Sequence, residues 1–169
     1  LSFYPEAVLA REALADPVAF GEARRHQIRA LSELADLQCI DFQAASGELA
    51  NAIQSSCSMT RYWGWMGATA FGSEAQAWVP EAKEALANDT DPLVRLRALE
   101  FLAQLEPLEM VVPLTEMIKQ TTCSMEQLTF LQTAAWLQLI EPAVRFDVGE
   151  KDLRSGSKLM ETLLSIRLD

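Results

Sequence analysis

Few residues of this chain have the types and the spacing that enzyme chemistry needs. The single histidine, His26, falls among arginines on a helix face that we predict to be exposed. A histidine base needs an orienting acid and a nucleophile beside it, and the sequence alone shows neither. The spacing of Glu81 and Glu84 is more typical of a solvent-exposed helix face than of a general acid/base pair. We therefore predict no catalytic residue in this chain.

The sequence also lacks the patterns that bind metals and cofactors. The spacing of His and Cys does not match a zinc site, and no glycine-rich loop could hold a phosphate. The acidic turn 88–91 lacks the ligand spacing of a calcium loop. Cys39, Cys57 and Cys123 are an odd number without close pairing, so we expect buried free thiols rather than disulfides. We expect no metal and no cofactor.

Composition and charge narrow the class of partner. The formal net charge is −10, and acidic residues outnumber basic ones in both halves of the chain. A nucleic-acid-binding protein needs a basic stripe, and an anionic membrane surface is disfavoured for the same reason. No apolar run is long enough to span a membrane. The partners that we predict are therefore proteins, with no nucleic acid and no membrane. Because the chain starts with Leu1 and shows no signal peptide, we also expect it to be a fragment, a trimmed segment or a mature segment.

Apolar residues recur every three to four positions, which predicts helices along most of the chain. The clearest is the stretch 88–106, where a polar turn is followed by Pro92 at the first helical position and by a broad apolar face. Together with 76–88 it predicts two antiparallel helices joined by a tight acidic turn. The other predicted helices cover 4–15, 18–36, 43–55, 59–71, 109–121, 124–140 and, as a terminal cap, 156–167. We predict a loop between 143 and 156.

The predicted helix 59–71 has an unusual content of tryptophan and glycine. Gly64 and Gly67 lie three apart and allow another helix to approach closely on that side. Trp63 and Trp65 cannot share a face. Of the two rings, we expect Trp65 to face a partner, and Tyr62, Trp63 and Trp65 together form the predicted interface, since such aromatics anchor many interfaces.

Three turn-plus-helix starts can be aligned, which predicts an internal repeat. The segments 57–61, 91–95 and 123–127 end at residues separated by 34 (61 to 95) and 32 (95 to 127). This period fits stacked helical hairpins. The pattern from Leu86 to Leu102 resembles a HEAT repeat. That resemblance implies that Arg61 and Arg95 pair with turn acids of an adjacent unit, with Asp89 or Asp91 as partner and Pro92 in the turn.

The predicted fold is all-α, a right-handed α-solenoid of HEAT-like (armadillo-type) helical hairpins in a single domain over 1–169. Residues 1–56 would supply N-terminal helices or a cap, 57–142 the clear repeats, and 143–169 a C-terminal cap helix. Apolar burial between layers would hold such a stack together.

A narrower resemblance involves the order of several short motifs. Tyr4-Pro5, Arg61-Tyr62-Trp63-Gly64 with Gly67, and the turn 91–95 follow one another as in the C-terminal helical-repeat region of bacterial arylsulfatase-type sulfatases. This resemblance implies a place in a larger polypeptide, in the periplasm or secreted, rather than catalysis. The segment 57–61, Cys-Ser-Met-Thr-Arg, only echoes the sulfatase motif Cys/Ser-x-Pro-x-Arg, because Met59 stands at the proline position.

Two functions remain open. The first is a non-catalytic accessory domain, the C-terminal part of a sulfatase-like hydrolase, that packs on the catalytic domain of the same polypeptide or mediates assembly. The alternative is a free-standing HEAT-like adaptor that binds another protein through its concave face. An independent enzyme is disfavoured because no catalytic constellation is present.

Overall fold

The computed structural model describes residues 14–153 of the chain. The predicted helix 4–15 lies outside the described residues except for its last two positions, and the predicted helix 156–167 lies wholly outside them. Within 14–153 the structure is all-α and contains no β-strand. None of the described helices is long and apolar enough to cross a membrane.

The described helices are α1 (Pro17–Asp36), α2 (Phe42–Ile53), α3 (Ser58–Phe71), α4 (Val79–Asn88), α5 (Pro92–Leu105), α6 (Val111–Gln120) and α7 (Ser124–Ile140). Short 3-10 segments cover Leu37–Cys39, Gly72–Trp78, Pro107–Met110 and Glu150–Asp152. The bounds of α1, α2, α3 and α7 agree with the sequence prediction to within two residues. The predicted helix 76–88 is instead a 3-10 segment followed by α4.

The chain divides into two compact units, Leu1–Trp78 and Val79–Asp169. In the first, α2 and α3 form a hairpin, and α1 packs against both. Aspartates start its first two helices: Asp16 accepts from the Ala19 N–H and Asp41 from the Ala44 N–H, each at 3.0 Å. The predicted inward residues of α2 are all buried: Ala45, Leu49, Ala52 and Ile53.

Glycine allows the close contact between α2 and α3. A Cβ placed on Gly64 would lie 2.8 Å from the Ile53 backbone nitrogen, and one on Gly67 would overlap the Leu49 side chain. The predicted close helix approach at these two glycines is therefore confirmed. At the end of α3, Gly72 has a φ of 52°, a conformation that L side chains rarely adopt.

The described helices of the second unit form two hairpins, α4 with α5 and α6 with α7. Helix α5 packs against α4, α6 and α7, and eight of its residues are buried. The segment after α7, predicted as a loop, is irregular as expected, but it adds buried side chains to this unit. These are Val144, Phe146, Val148 and Leu153.

The cysteine prediction was only partly right. All three thiols are free, but Cys39 and Cys57 are exposed and Cys123 is half-buried. Cys57 and Cys123 immediately precede α3 and α7, where the chain turns at the surface between two helices.

Candidate interaction surface

The turns before α3, α5 and α7 share one backbone geometry. The residues preceding these helices are Cys57, Asp91 and Cys123, with φ/ψ of −84°/118°, −97°/117° and −97°/119°. In each turn the N–H of that residue donates to a side-chain oxygen two positions earlier. The acceptors are Ser55, Asp89 and Thr121, at 3.1, 2.9 and 3.2 Å. The repeat found in the sequence therefore corresponds to a repeated local structure.

The three residues that end the aligned segments each donate a side-chain hydrogen bond to a main-chain carbonyl earlier in the chain. Arg95 donates from Nε to the Leu86 carbonyl at 2.9 Å, and Gln127 donates from Nε2 to the Ile118 carbonyl at 2.9 Å. Arg61 donates to the Ser55 and Ser56 carbonyls at 2.9 and 3.1 Å. The last carbonyls of a helix have no partner inside it, so Arg95 and Gln127 secure the end of the preceding helix. Arg61 instead secures the turn itself, because its two acceptors lie after the end of α2.

The guanidinium of Arg95 bonds to the main chain through Nε, and the pairing of Arg61 and Arg95 with Asp89 or Asp91 stays a prediction. The turn aspartates act on the backbone too: Asp91 is buried and its Oδ1 accepts from the Leu93 N–H at 3.0 Å. Pro92 occupies the first position of α5, as predicted. Asp89, Asp91 and Pro92 therefore contribute to the turn and to the start of α5.

The expectation that Trp65 faces a partner is wrong. Trp65 is only 1% exposed. It occupies the same repeat position as Leu99 and Leu131, both fully buried, so a signal for its burial was present in the repeat alignment. Sequence reasoning missed it because the predicted helix 59–71 was considered alone, without the two equivalent helices.

Tyr62 and Trp63 form the outer part of the predicted aromatic interface. Both are half-buried, and their rings meet edge to face with centroids 6.0 Å apart. Edge-to-face contact is one of the arrangements that aromatic rings prefer. Trp63 corresponds in the repeat to Arg97 and Thr129, which are also only partly covered. A partly open aromatic pair of this kind can take part in a protein contact.

A polar network joins α5 and α7. Glu100 forms an ion pair with Arg97 and also accepts from the Thr133 hydroxyl at 2.6 Å. The Arg97 and Glu100 side chains are 21% and 13% exposed, so the ion pair is largely shielded. Neither Glu100 nor Thr133 was singled out from the sequence, since their contact joins positions that are distant along the chain.

The thiol of Cys57 has an electrostatic environment that favours its ionised form. Burial pushes its pKa up, but the Thr60 main chain and hydroxyl, the Met59 main chain and the Arg61 charge outweigh burial and lower the pKa. The start of a helix favours a negative charge in the same way. Cys57 occupies the position in its turn that Asp91 occupies in the second turn. The sequence analysis did not predict an acid or a base next to this thiol.

An open apolar groove of about 370 Å³ lies in the second unit between α4 and α6. Its floor is formed by α5, and its lining residues are Lys83, Leu86, Ala87, Arg95, Leu102, Met110, Val112, Pro113 and Glu116. Val112 at its edge is 65% exposed, and Leu108, one turn earlier, is 58% exposed. The groove is apolar inside and carries charges of both signs at its rim.

The remaining candidates were those for catalysis and metal binding. The backbone of His26 lies within α1, but its side chain is outside what the structure describes. Glu81 is exposed on α4, and Glu84 accepts from Asn88 there at 2.9 Å. Across residues 14–153, no group of three or more His, Cys, Asp and Glu residues is placed to hold a metal ion.

Comparison with known proteins finds no relative: no family model, no curated protein and no solved structure matches this chain. The class that the structure defines is an all-α chain of helical hairpins with a recurring turn.

Proposed function

We propose that this chain is a non-catalytic, HEAT-like helical-repeat module that works by packing against another protein domain. The observation that carries the proposal is the turn repeated before α3, α5 and α7, with its backbone angles, its side-chain acceptor and its side-chain donor. Arrays of such hairpins present extended surfaces and serve mainly in protein contacts. The acidic charge supports a protein partner over nucleic acid.

In its narrower form, the proposal makes this module the C-terminal accessory region of a sulfatase-like hydrolase. Support comes from the order of its motifs, Arg61-Tyr62-Trp63-Gly64 before the turn 91–95. Gly64 is explained by helix packing alone, so the half-buried Tyr62 and Trp63 are the motif residues left to contact a catalytic domain. A periplasmic or secreted location belongs to this form of the proposal.

The test is the intact mass, with peptide coverage, of the native polypeptide from its source. The accessory function requires a polypeptide much larger than the 18.8 kDa of this chain. The sulfatase form requires in addition an upstream peptide that contains Cys/Ser-x-Pro-x-Arg. A larger polypeptide without that motif contradicts only the sulfatase form, whereas a native mass equal to that of this chain contradicts the accessory function altogether.

The groove between α4 and α6 favours a second candidate, a free-standing adaptor. Its apolar floor and its rim of Lys83 and Glu116 fit a partner segment with apolar side chains flanked by both charges. If so, Val112→Glu should release a partner that co-purifies with the chain. Val18→Glu, at a similarly exposed site of the first unit, is the matched control and should not release it. Equal retention by both variants would contradict the groove as the binding site.

A further inference from the structure

The first unit contains an open groove of about 560 Å³ between α1 and α2, named here the α1–α2 groove. Its apolar lining comes from both helices: Ala30, Leu34 and Leu37 from the end of α1, and Ala52 from α2. The lining residues recur at spacings of three and four positions, so the groove follows one face of each helix. The α1–α2 groove therefore offers an apolar bed for a bound group.

The charged residues that line the α1–α2 groove are both acidic. Glu33 lies on its α1 side and Glu48 on its α2 side, and both are exposed. The other polar lining residues are uncharged: Asn51, Ser55 and Thr60. Within the described part of the chain, no lysine or arginine lines this groove. Carboxylates on its two sides therefore favour a cation as the bound group.

Two arginines lie near the α1–α2 groove, and both already bind acceptors. Arg29 donates from Nε to Glu33 at 3.0 Å, and both side chains of this ion pair are exposed. An exposed ion pair contributes little, so a second cation can share the Glu33 carboxylate. Arg61 donates to two main-chain carbonyls in the turn before α3. Glu48 forms no ion pair with any residue of 14–153 and is open to a partner.

One end of the α1–α2 groove lies next to the aromatic pair Tyr62 and Trp63. Thr60 lines the groove in the first turn of α3, and Trp63, three positions later, is its neighbour on the helix surface. Lysine and arginine have long aliphatic stems that pack on apolar surface, and charged ends that carboxylates and aromatic rings attract. The groove and the aromatic pair therefore suit the same kind of side chain.

We propose that the α1–α2 groove binds a lysine or arginine side chain, with apolar residues beside it, from the protein domain on which this module packs. The inference rests on the proposed packing function and adds the chemistry of the partner surface. The aliphatic stem lies on Ala30, Leu34 and Ala52, and the carboxylates of Glu33 and Glu48 bind the cation. The net charge of −10 favours a basic partner in the same sense.

The test compares two peptides that differ in the charge of one residue, acetyl-Ala-Leu-Lys-Leu-Ala-amide and its counterpart with glutamate in place of lysine. Each is titrated into the full chain, and binding is followed by NMR through the amide signals of Asn51 and Thr60. The lysine peptide should shift both signals saturably and bind about tenfold more tightly, because the same carboxylates attract it and repel the glutamate peptide. Equal affinities, or no saturable shift with the lysine peptide, would overturn the proposal.

Two charge reversals separate this groove from a general attraction of cations to an acidic chain. Glu48→Lys should abolish the preference for the lysine peptide. Glu81→Lys, at an exposed position of α4, changes the net charge by the same amount and should leave the preference intact. Equal loss of the preference in both variants would also overturn the proposal. A native polypeptide with the mass of this chain would contradict the accessory function without altering the peptide result, so the two proposals fail separately.

Discussion

The turns between helices depend on single side chains that donate to the main chain. Gln127 is fully buried, and its Nε2 bonds to the carbonyls of Ile118 and Asp152. It thereby joins the end of α6, the start of α7 and the returning chain. A buried carbonyl that loses its partner costs more than the hydrogen bond itself contributed.

Replacing Gln127 by methionine should therefore lower the free energy of unfolding by about 1–3 kcal/mol, since the side chain keeps its length but loses both donated bonds. Chemical denaturation measures the change. Gln104→Met, at an exposed position of α5, is the matched control and should be nearly neutral. If both variants are equally stable, the turn does not depend on this donor.

The Cys57 thiol should be the most reactive of the three cysteines. Its pKa is lowered chiefly by Thr60, Met59 and Arg61 acting against burial, and the thiolate is the nucleophilic form. Alkylation by iodoacetamide near neutral pH, followed by peptide mass analysis, should modify Cys57 before Cys39, which is also exposed. Arg61→Gln should reduce this difference. Equal rates for Cys57 and Cys39 in the unchanged chain would contradict the assignment.

The ion pair of Lys119 with Asp147 should make a small contribution that depends on pH. The hydrogen bond from Lys119 lowers the pKa of Asp147, and the same bond raises the pKa of Lys119. The Asp147 contribution is therefore complete above the ordinary aspartate pKa of about 4 and is lost as the pH falls through the lowered value. The Lys119 contribution is complete below about 10.4 and is lost as the pH rises through the raised value.

Asp147→Asn should accordingly destabilise the protein slightly at neutral pH and not at all in strong acid. The effect should shrink in high salt, because the Asp147 side chain is 94% exposed. Thermal unfolding at several pH values measures it. A stability difference that persists unchanged at low pH would exclude the ion pair as its cause.

At the scale of elements, the hairpin of α2 and α3 is limited by the space at Gly64. Gly64→Ala would bring a Cβ to 2.8 Å from backbone, which cannot move without separating the helices. We expect a loss of about 1–3 kcal/mol in unfolding free energy, as for other overpacked interiors. Denaturant titration of the full chain gives this value.

Gly47, in the middle of α2, is the matched comparison. A Cβ there meets nothing within 4 Å, so Gly47→Ala should stabilise the protein by about 0.5–1 kcal/mol through better helix propensity. Opposite signs for the two substitutions are the expected result. Destabilisation by Gly47→Ala as large as that by Gly64→Ala would mean that α2 does not pack as described.

The helix ends that the sequence predicted well are those determined by neighbouring residues. Asp16 with Pro17, and Asp91 with Pro92, mark helix starts through capping chemistry that depends only on neighbouring residues. Pro142 follows the end of α7 in the same local way. Contacts between distant positions, such as Glu100 with Thr133, leave no comparable pattern in the sequence.

The candidate site was predicted less well for the same reason. The half-buried pair Tyr62 and Trp63 was included in the predicted interface, but Trp65 was assigned to the wrong side of α3. The spacing of apolar residues does not identify the buried face of this helix, because tryptophans lie on two of its faces and glycines lie between them. Comparison with Leu99 and Leu131 at the same repeat position resolves the ambiguity.

At the scale of the whole molecule, the proposed function rests on surfaces rather than on reactive groups. Each of the two units contains hairpins built by the same turn. The described surface includes a partly open aromatic pair on α3 and an apolar groove between α4 and α6. We have proposed a different occupant for each of these two features, so each can be tested without the other.

The most direct test of the central claim is hydroxyl-radical footprinting of Tyr62 and Trp63 in the native polypeptide and in this chain alone. If the module packs on a neighbouring domain through α3, both side chains are oxidised several times more slowly in the native polypeptide. Phe20, half-buried on α1, serves as the reference and keeps its rate. Equal oxidation of Tyr62 and Trp63 in the two samples would contradict the proposed packing role.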